Sequence, residues 1–255
     1  EIESAAAPLW EDLTKGRVLG GSERDNIALF VAAQYLRSPA SVNAAAEMSA
    51  QLFQTIGQFT AQNKEYHEAT MDQFDTEHGK TTSAEERERM RKFIGGTDNY
   101  QINVSKEAGL PVLGSIETIA DHLLNMNWVV GRSDEQHLVT SDSPVTRTTD
   151  PSTRSPLRGD GGFRNKTVRV QFPLTPNHMI EMGWEGDERE RVVAIPKQMA
   201  REMNRMRAIH AERFVYAKIS DHGVKKLCDK WLSSDTGPRI QTNQRTAKVE
   251  VKRKL

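Results

Sequence analysis

The sequence has few of the residues that mark a secreted, membrane or zinc-binding protein. Its 255 residues include one cysteine, Cys228, which excludes an internal disulfide framework and a cysteine-rich zinc module. No apolar run approaches the ~20 residues that a transmembrane helix needs, so we expect no membrane partner. The chain starts at Glu1 with no signal-like apolar stretch, which indicates a fragment without its upstream segment and favours a cytoplasmic protein.

An excess of either charge is also absent. The chain has 35 basic and 35 acidic side chains, and this balance argues against a generally basic nucleic-acid-binding protein. The charges are unevenly distributed, however. Residues 62–90 carry 8 acidic and 4 basic side chains, whereas residues 239–255 carry a net charge of +5. A protein partner could dock on either segment, and the basic tail at 239–255 could contact nucleic acid.

Motifs for metal and nucleotide binding are missing as well. No two of the seven histidines have the i, i+4 spacing of a helical zinc site, and Gly159–Gly162 lacks the lysine and hydroxyl of a phosphate-binding loop. Asp72, Asp75 and the Glu77–His78 pair could gather a divalent cation, but such acidic residues usually solvate a helix face. We therefore expect no dedicated metal site, and the cofactor stays unknown.

Composition and hydrophobic periodicity divide the chain into three regions. Residues 1–127 have helical spacing, with an acidic hairpin near 62–95. Within the hairpin, Ser83 and Glu86 have the spacing of a capping box that starts a helix. Residues 128–232 combine helices with short β-type runs, among them 137–140 and the alternating stretch 167–172. They also contain a long loop at 150–165, which we expect to be mobile. Residues 233–255 form a basic tail that we expect to be flexible.

These patterns predict an α+β fold. The helical N-terminal half is expected to pack against a small, mainly antiparallel sheet, with C-terminal helices over 197–210 and 221–232 covering it. Met199, Met203, Met206 and His210 are spaced as one face of the first of these helices. We favour a single folded unit.

Two polar groups follow apolar elements and are candidates for chemistry. Gln34 and Arg37 lie at a helix end, where an arginine can bind the last helical carbonyls or offer a planar guanidinium to a carboxylate or phosphate. Ser141 and Asp142 follow an apolar strand, where a carboxylate can act as a base or a cation ligand. The alternative is a turn in which Asp142 binds neighbouring backbone amides, and spacing alone favours that turn.

Several short motifs, in the same order along the chain, resemble the uncharacterised DUF4238 family. They are Phe30–Pro39, Thr140–Val145, Phe172–Pro176, and Met203–Asn204 followed by His210–Tyr216. The resemblance spans roughly residues 3–218 and adds Asn204 and Arg213 to the candidate residues. Family members usually begin with a His-Tyr-Val-Pro-like strand that this chain lacks, and the family supplies no reaction.

Two functions of different classes remain open from the sequence. In the first, a polar cleft acts on a phosphate-containing substrate such as a nucleotide or nucleic acid, as a hydrolase or nuclease would. Arg37 would hold the anion and Asp142 would act as base, in a cleft formed with Gln34, Ser141, Asn204 and Arg213. In the second, the protein is a binding or assembly module in which Arg37 and Asp142 form a buried structural ion pair.

Overall fold

The helices and strands belong to two units of the chain. The computed structural model describes residues 2–96, 100–102, 104–153, 160–186 and 191–232. Within those ranges, one unit comprises residues 2–43 and 110–232, and the other comprises residues 44–109. The α+β fold class is confirmed. The division differs from the single folded unit that we favoured, because the first helices of the chain group with the sheet rather than with the helices that follow them.

A five-stranded, mainly antiparallel sheet forms the centre of the first unit. Its strands are β1 (Asn127–Arg132), β3 (Thr146–Thr148), β4 (Arg169–Thr175), β5 (His178–Gly183) and β6 (Arg191–Ala194). Their order is β3-β4-β5-β1-β6, and only the β1–β6 pair is parallel among these strands. A separate antiparallel pair joins β2 (Thr140–Ser141) to β7 (Val215–Tyr216).

Helices from both ends of the chain accompany this sheet. They are α1 (Ile2–Ala6), α2 (Leu9–Thr14), α3 (Gly21–Leu36), α7 (Ile116–Leu124), α8 (Lys197–His210) and α9 (His222–Trp231), numbered in chain order with three helices of residues 39–95 as α4–α6. Helix α3 packs against α7, and α8 packs against β2 and β3. The two predicted C-terminal helices are therefore present, and residues 233–255 lie outside the described residues.

The core of this unit forms where alternating strand residues meet the helix faces. Alternate side chains in β4 and just before it lie on one side of the strand and are buried, as the alternation predicted: Val168, Val170 and Phe172. Phe172 contacts the rings of Trp10 and Phe30 at centroid distances of 5.7 Å each, so α2 and α3 share an aromatic cluster with the sheet. Such aromatic packing joins the first helices to the sheet.

The described parts of the 150–165 segment are held in place by specific contacts. Asn165 Nδ2 donates hydrogen bonds to Thr153 Oγ1 and to the carbonyl of Asp160, both at 2.7 Å. Phe163 is buried, and its carbonyl accepts a hydrogen bond from Trp184 Nε1 (2.9 Å). The mobility expected for this loop stays a prediction, and residues 154–159 lie outside the described part of the chain.

The second unit contains the predicted acidic hairpin. Helix α4 (Pro39–Gln62) leads into α5 (Lys64–His78) and α6 (Ala84–Gly95), and a 3-10 helix over Lys106–Ser115 leads out of this unit. Gly79 ends α5 in the left-handed conformation with φ of 60°, which a glycine adopts without strain. At the start of α6, Ser83 and Glu86 form the predicted capping box.

No helix in the described residues is both long enough and apolar enough to span a membrane.

Candidate functional site

Asp142 binds the segment of chain that leaves helix α8. Its Oδ1 accepts a hydrogen bond from the N–H of Glu212 (2.9 Å), and its Oδ2 accepts from the N–H groups of Arg213 (2.7 Å) and Phe214 (3.2 Å). The N–H of Asp142 donates in turn to the carbonyl of Phe214 (3.1 Å). Pairing of β2 with β7 brings the two segments together. The carboxylate therefore binds three backbone amides, but these are about 70 positions away in sequence, whereas the turn interpretation predicted neighbouring amides.

Ser141 has a local role beside Asp142. Its hydroxyl donates to the carbonyl of Ser143 (2.9 Å) and accepts from the N–H of Ser143 (3.2 Å). This arrangement is a serine turn between β2 and β3. The hydroxyl of Ser143 itself is buried and has no hydrogen-bond partner within the described residues.

Gln34 and Arg37 contact each other and the first helix rather than Asp142. Arg37 Nε donates to Gln34 Oε1 (3.1 Å), and Nη1 donates to Glu3 Oε1 (2.6 Å). The side chain of Arg37 is 51% exposed, and an ion pair at such a site contributes little to stability. The expected buried ion pair between Arg37 and Asp142 is therefore wrong, because Arg37 binds Glu3 and Asp142 binds backbone amides.

Asn204 and Arg213 are not brought together as a substrate-binding pair. Asn204 is buried on α8, where its Oδ1 accepts from the N–H of Val139 (3.0 Å) and its Nδ2 donates to the carbonyl of His137 (2.8 Å). Asn204 thus binds the backbone of residues 137–139 as a neighbouring strand would. Of the strand predicted at 137–140, only the part in β2 forms. Arg213 uses its backbone N–H on Asp142, and its side chain is exposed.

Helix α8 also buries an arginine that the sequence reading missed. Arg207 is 0% exposed, and its Nε, Nη1 and Nη2 have no hydrogen-bond partner among the described residues. Burial lowers the pKa of Arg207 to about 10, so the guanidinium stays charged at neutral pH. A buried cation without an anion costs several kcal/mol of solvation free energy. This position therefore calls for an anionic partner.

A second arginine comes to the same helix from strand β3. Arg147 Nη2 forms an ion pair with Asp160 Oδ2 (2.7 Å), Nε donates to the hydroxyl of Tyr35 (3.4 Å), and the buried Nη1 has no partner in the described part of the chain. Burial opposes its charge, but the interactions with Tyr35 and Asp160 outweigh burial and raise the pKa of Arg147. Tyr35 lies between Gln34 and Arg37, so this helix end contacts strand β3 through a residue that was not among the candidates. Arg147 follows the Thr140–Val145 motif and is not part of it.

His210 lies one turn after Arg207 on α8. Its Nδ1 is 2.7 Å from the carbonyl of Met206. Because a carbonyl only accepts, Nδ1 carries the proton and Nε2 of the neutral ring keeps its lone pair. Burial, together with the charges of Arg147 and Arg207, lowers the pKa of His210, although the Met206 contact opposes this shift. Arg207 and His210 are three residues apart on the same face of α8, and strand β3, which carries Arg147, packs against this helix.

One hydrogen bond, the helical spacing on α8 and the packing of β3 against α8 relate four side chains, which we call the cationic cluster: Tyr35, Arg147, Arg207 and His210. The packing of α8 against β2 and β3 assembles it, and Asp142 ties the end of α8 to β2. The cluster can bind an anion through guanidinium nitrogens in a site of low solvent exposure, where electrostatic interactions are strong.

The sequence of α8 contains a pattern that indicates the burial of Arg207. The buried positions of α8 are Ala200, Met203, Asn204, Arg207 and Ala208, rather than the expected face of Met199, Met203, Met206 and His210. Met199 is 51% exposed. Both sets have helical spacing, but only the first places small residues against the sheet and includes a charged side chain. An arginine within a stripe of small and apolar residues is the pattern that would have identified it.

Metal binding finds no support among the described residues. No group of three or more histidine, cysteine, aspartate or glutamate side chains is placed to hold an ion there. Asp72 and Asp75, the acids considered for a divalent cation, both bind Arg87, with N–O distances of 2.7 and 2.6 Å. These carboxylates therefore form ion pairs within the acidic hairpin.

Comparison with known proteins identifies a family but no activity. The family model described as "Protein of unknown function (DUF4238)" matches residues 1–221. No curated protein and no solved structure shows significant similarity to the chain.

Proposed function

The chain belongs to the DUF4238 family of proteins of unknown function, and we therefore propose a function from its own geometry: it binds a phosphate-containing ligand at the cationic cluster. The observation that carries this proposal is Arg207, whose guanidinium is fully buried and has no acceptor among the described residues. An anion at this position would offset the cost of burying the charge.

The number of donors favours phosphate over carboxylate. Three nitrogens of Arg207 and Nη1 of Arg147 have no acceptor in the described residues, and they come from two different elements, α8 and β3. A carboxylate offers two oxygens in one plane, whereas a phosphate monoester offers three terminal oxygens that point in different directions. Two guanidinium groups from separate elements suit the second geometry better.

Burial favours a small ligand with a terminal phosphate. Arg207 is 0% exposed. An internal phosphate of a nucleic acid carries chain on both sides, and a buried arginine reaches such a phosphate poorly. We therefore favour a nucleotide or another small phosphate ester over a nucleic acid.

Two functional classes share this binding step. A hydrolase would act on the bound ester, and a binding module would hold it without chemistry. The contacts of Asp142 with three backbone amides favour a positioning role for that residue and are the observation that supports the second class. In the binding module, partner docking through the acidic hairpin 62–95 or the basic tail 239–255 stays a prediction. The hydrolase needs a base other than Asp142.

Calorimetric titration with inorganic phosphate tests the binding step. We expect saturable binding by the wild-type chain and at least a tenfold loss of affinity in Arg207→Met, which keeps the side-chain length and removes the charge. Thermal melts provide a second readout, because a ligand at 100 times its Kd stabilises the native state by about 2.7 kcal/mol. That stabilisation should be absent from the variant.

Arg201→Met is the matched control for this titration. Arg201 lies on the same helix with an exposed side chain, so its loss should leave phosphate affinity within about twofold. Equal phosphate affinity in the wild type and Arg207→Met would show that the cationic cluster is not the site. Titration with acetate separates phosphate recognition from general anion binding.

A further inference from the structure

The cationic cluster contains a base as well as cations. The Nδ1–H of His210 donates to the carbonyl of Met206 at 2.7 Å, which fixes the ring and leaves the Nε2 lone pair as its free basic site. No hydrogen bond engages Nε2 within the described residues. The imidazole is therefore oriented by its own helix, as the base of a catalytic site must be.

Burial lowers the pKa of His210, and the charges near the ring act in the same direction. Arg207 comes from the same helix and Arg147 from β3, and both disfavour a cationic imidazole. Asp160 is the acidic group that contacts Arg147, and it forms an ion pair with that residue at 2.7 Å. Tyr35, from α3, contributes a neutral hydroxyl that binds Arg147. A neutral histidine beside two arginines combines a proton acceptor with a phosphate holder.

From this arrangement we propose that His210 is the general base for hydrolysis of a small phosphate monoester whose phosphate is held by Arg147 and Arg207. The inference rests on the phosphate binding proposed above. Asp142 does not compete for this role, because its carboxylate accepts three backbone hydrogen bonds.

The reaction balances with water as the only co-reactant. His210 Nε2 takes a proton from water while the water oxygen forms a bond to phosphorus. The bond between phosphorus and the ester oxygen breaks, and its electron pair leaves with that oxygen. The imidazolium then returns the proton to the leaving oxygen, which yields an alcohol and inorganic phosphate and restores neutral His210. Arg147 and Arg207 hold the negative charge of the phosphoryl oxygens throughout.

His210→Asn tests the assignment because the asparagine amide can still donate to the Met206 carbonyl but has no atom at the Nε2 position. The substrates are p-nitrophenyl phosphate, a nucleoside 5′-monophosphate and a sugar phosphate. We expect wild-type turnover of at least one of them and a kcat that is about 100- to 1,000-fold lower in the variant, which is within the usual range for loss of a general base. The KM and the Kd for inorganic phosphate should change by less than about threefold.

A pH profile of the wild type provides a measurement that does not depend on the folding of a variant. A base must be unprotonated, so kcat/KM should fall as pH decreases, with a midpoint below about 6.5, the ordinary value for histidine. Where His210→Asn folds, it should lack this acidic limb, which distinguishes His210 from ionisation of the substrate.

The outcomes separate this inference from the binding proposal. Unchanged kcat in His210→Asn, or an activity with no acidic limb, would overturn the role of His210. Phosphate binding without turnover of any of the three substrates would also overturn it, and the binding proposal would stand. Absence of phosphate binding by the wild type would overturn both.

Discussion

At the scale of single residues, the most informative side chain is that of Arg207, because burying its unpaired charge is expected to lower the stability of the fold. Arg207 occupies a position on α8 between Met203, Asn204 and Ala208, all buried, where an apolar residue would pack without an electrostatic cost. Protein cores accept charges only when these are paired, and Arg207 has no partner in the described residues. A residue that lowers the stability of the fold is typical of a binding site.

This trade-off predicts a mutation with opposite effects on stability and binding. Arg207→Met should raise the free energy of unfolding by about 1–4 kcal/mol in phosphate-free buffer, because it replaces a buried charge with an apolar side chain of similar length. Urea denaturation measures the change, with Arg201→Met as the exposed control. A large destabilisation by Arg207→Met would instead indicate that the guanidinium is structurally paired.

At the scale of elements, Asp142 couples strand β2 to the end of helix α8. The three amides that it binds follow the helix directly, and the helix carries two members of the cationic cluster, Arg207 and His210. The hydrogen bonds of a carboxylate to backbone amides are charge-assisted and stronger than neutral ones. This contact should therefore set where the last turn of α8 lies relative to β3.

We expect Asp142→Asn to destabilise the protein by about 1–3 kcal/mol, since the amide NH2 of asparagine would face backbone N–H donors. Phosphate affinity should fall as well, because the position of α8 becomes less well defined. Combined thermal melts and phosphate titrations measure both effects. Normal stability with complete loss of turnover would instead support the catalytic role that the sequence suggested for Asp142.

Local sequence patterns predicted two of the elements correctly. Alternation in 167–172 and the Ser83–Glu86 capping box are local patterns, and the structure confirms the strand and the helix start that they predicted. Residues 137–139 have the composition of a strand, but Asn204 takes the place of the strand partner there. Local composition cannot distinguish these two partners.

At the scale of the whole molecule, the two units carry different reporters of unfolding. Trp10, Trp128, Trp184 and Trp231 are the four tryptophans of the chain, and all lie in the unit that contains the cationic cluster. The other unit is helical in its described residues and contains Arg87, which binds Glu68, Asp72 and Asp75 at 2.6–3.0 Å. Tryptophan fluorescence should therefore report on one unit, while far-UV circular dichroism reports on both.

This distribution predicts separable effects on the two signals. Phosphate should raise the unfolding midpoint seen by tryptophan fluorescence, because only the native cluster binds it. Arg87→Met should lower the midpoint of a helical transition seen by circular dichroism and leave the fluorescence midpoint nearly unchanged, since it leaves three carboxylates without their shared cation. The exposed Arg89→Met is the control for Arg87. Equal shifts in both signals would indicate that the units unfold as one.

The sequence by itself determined most of the helices, several strands, the α+β class and the membership of the family, because periodicity, caps and short motifs are local properties. The candidate residues Gln34, Arg37, Ser141 and Asp142 were found by their places at element ends, but their partners were not. Glu3 for Arg37 and the 212–214 amides for Asp142 depend on which distant segments pack together.

Only the tertiary structure decided that Arg207 is buried. Two faces of α8 have helical spacing, and sequence alone favoured the one with more methionines. Packing against β2 and β3 selected the neighbouring face instead, with its small residues Ala200 and Ala208. The face that packs against the strands is thus shifted by one position from the predicted face. Arg207 is therefore buried rather than exposed, and its buried charge needs an anionic partner.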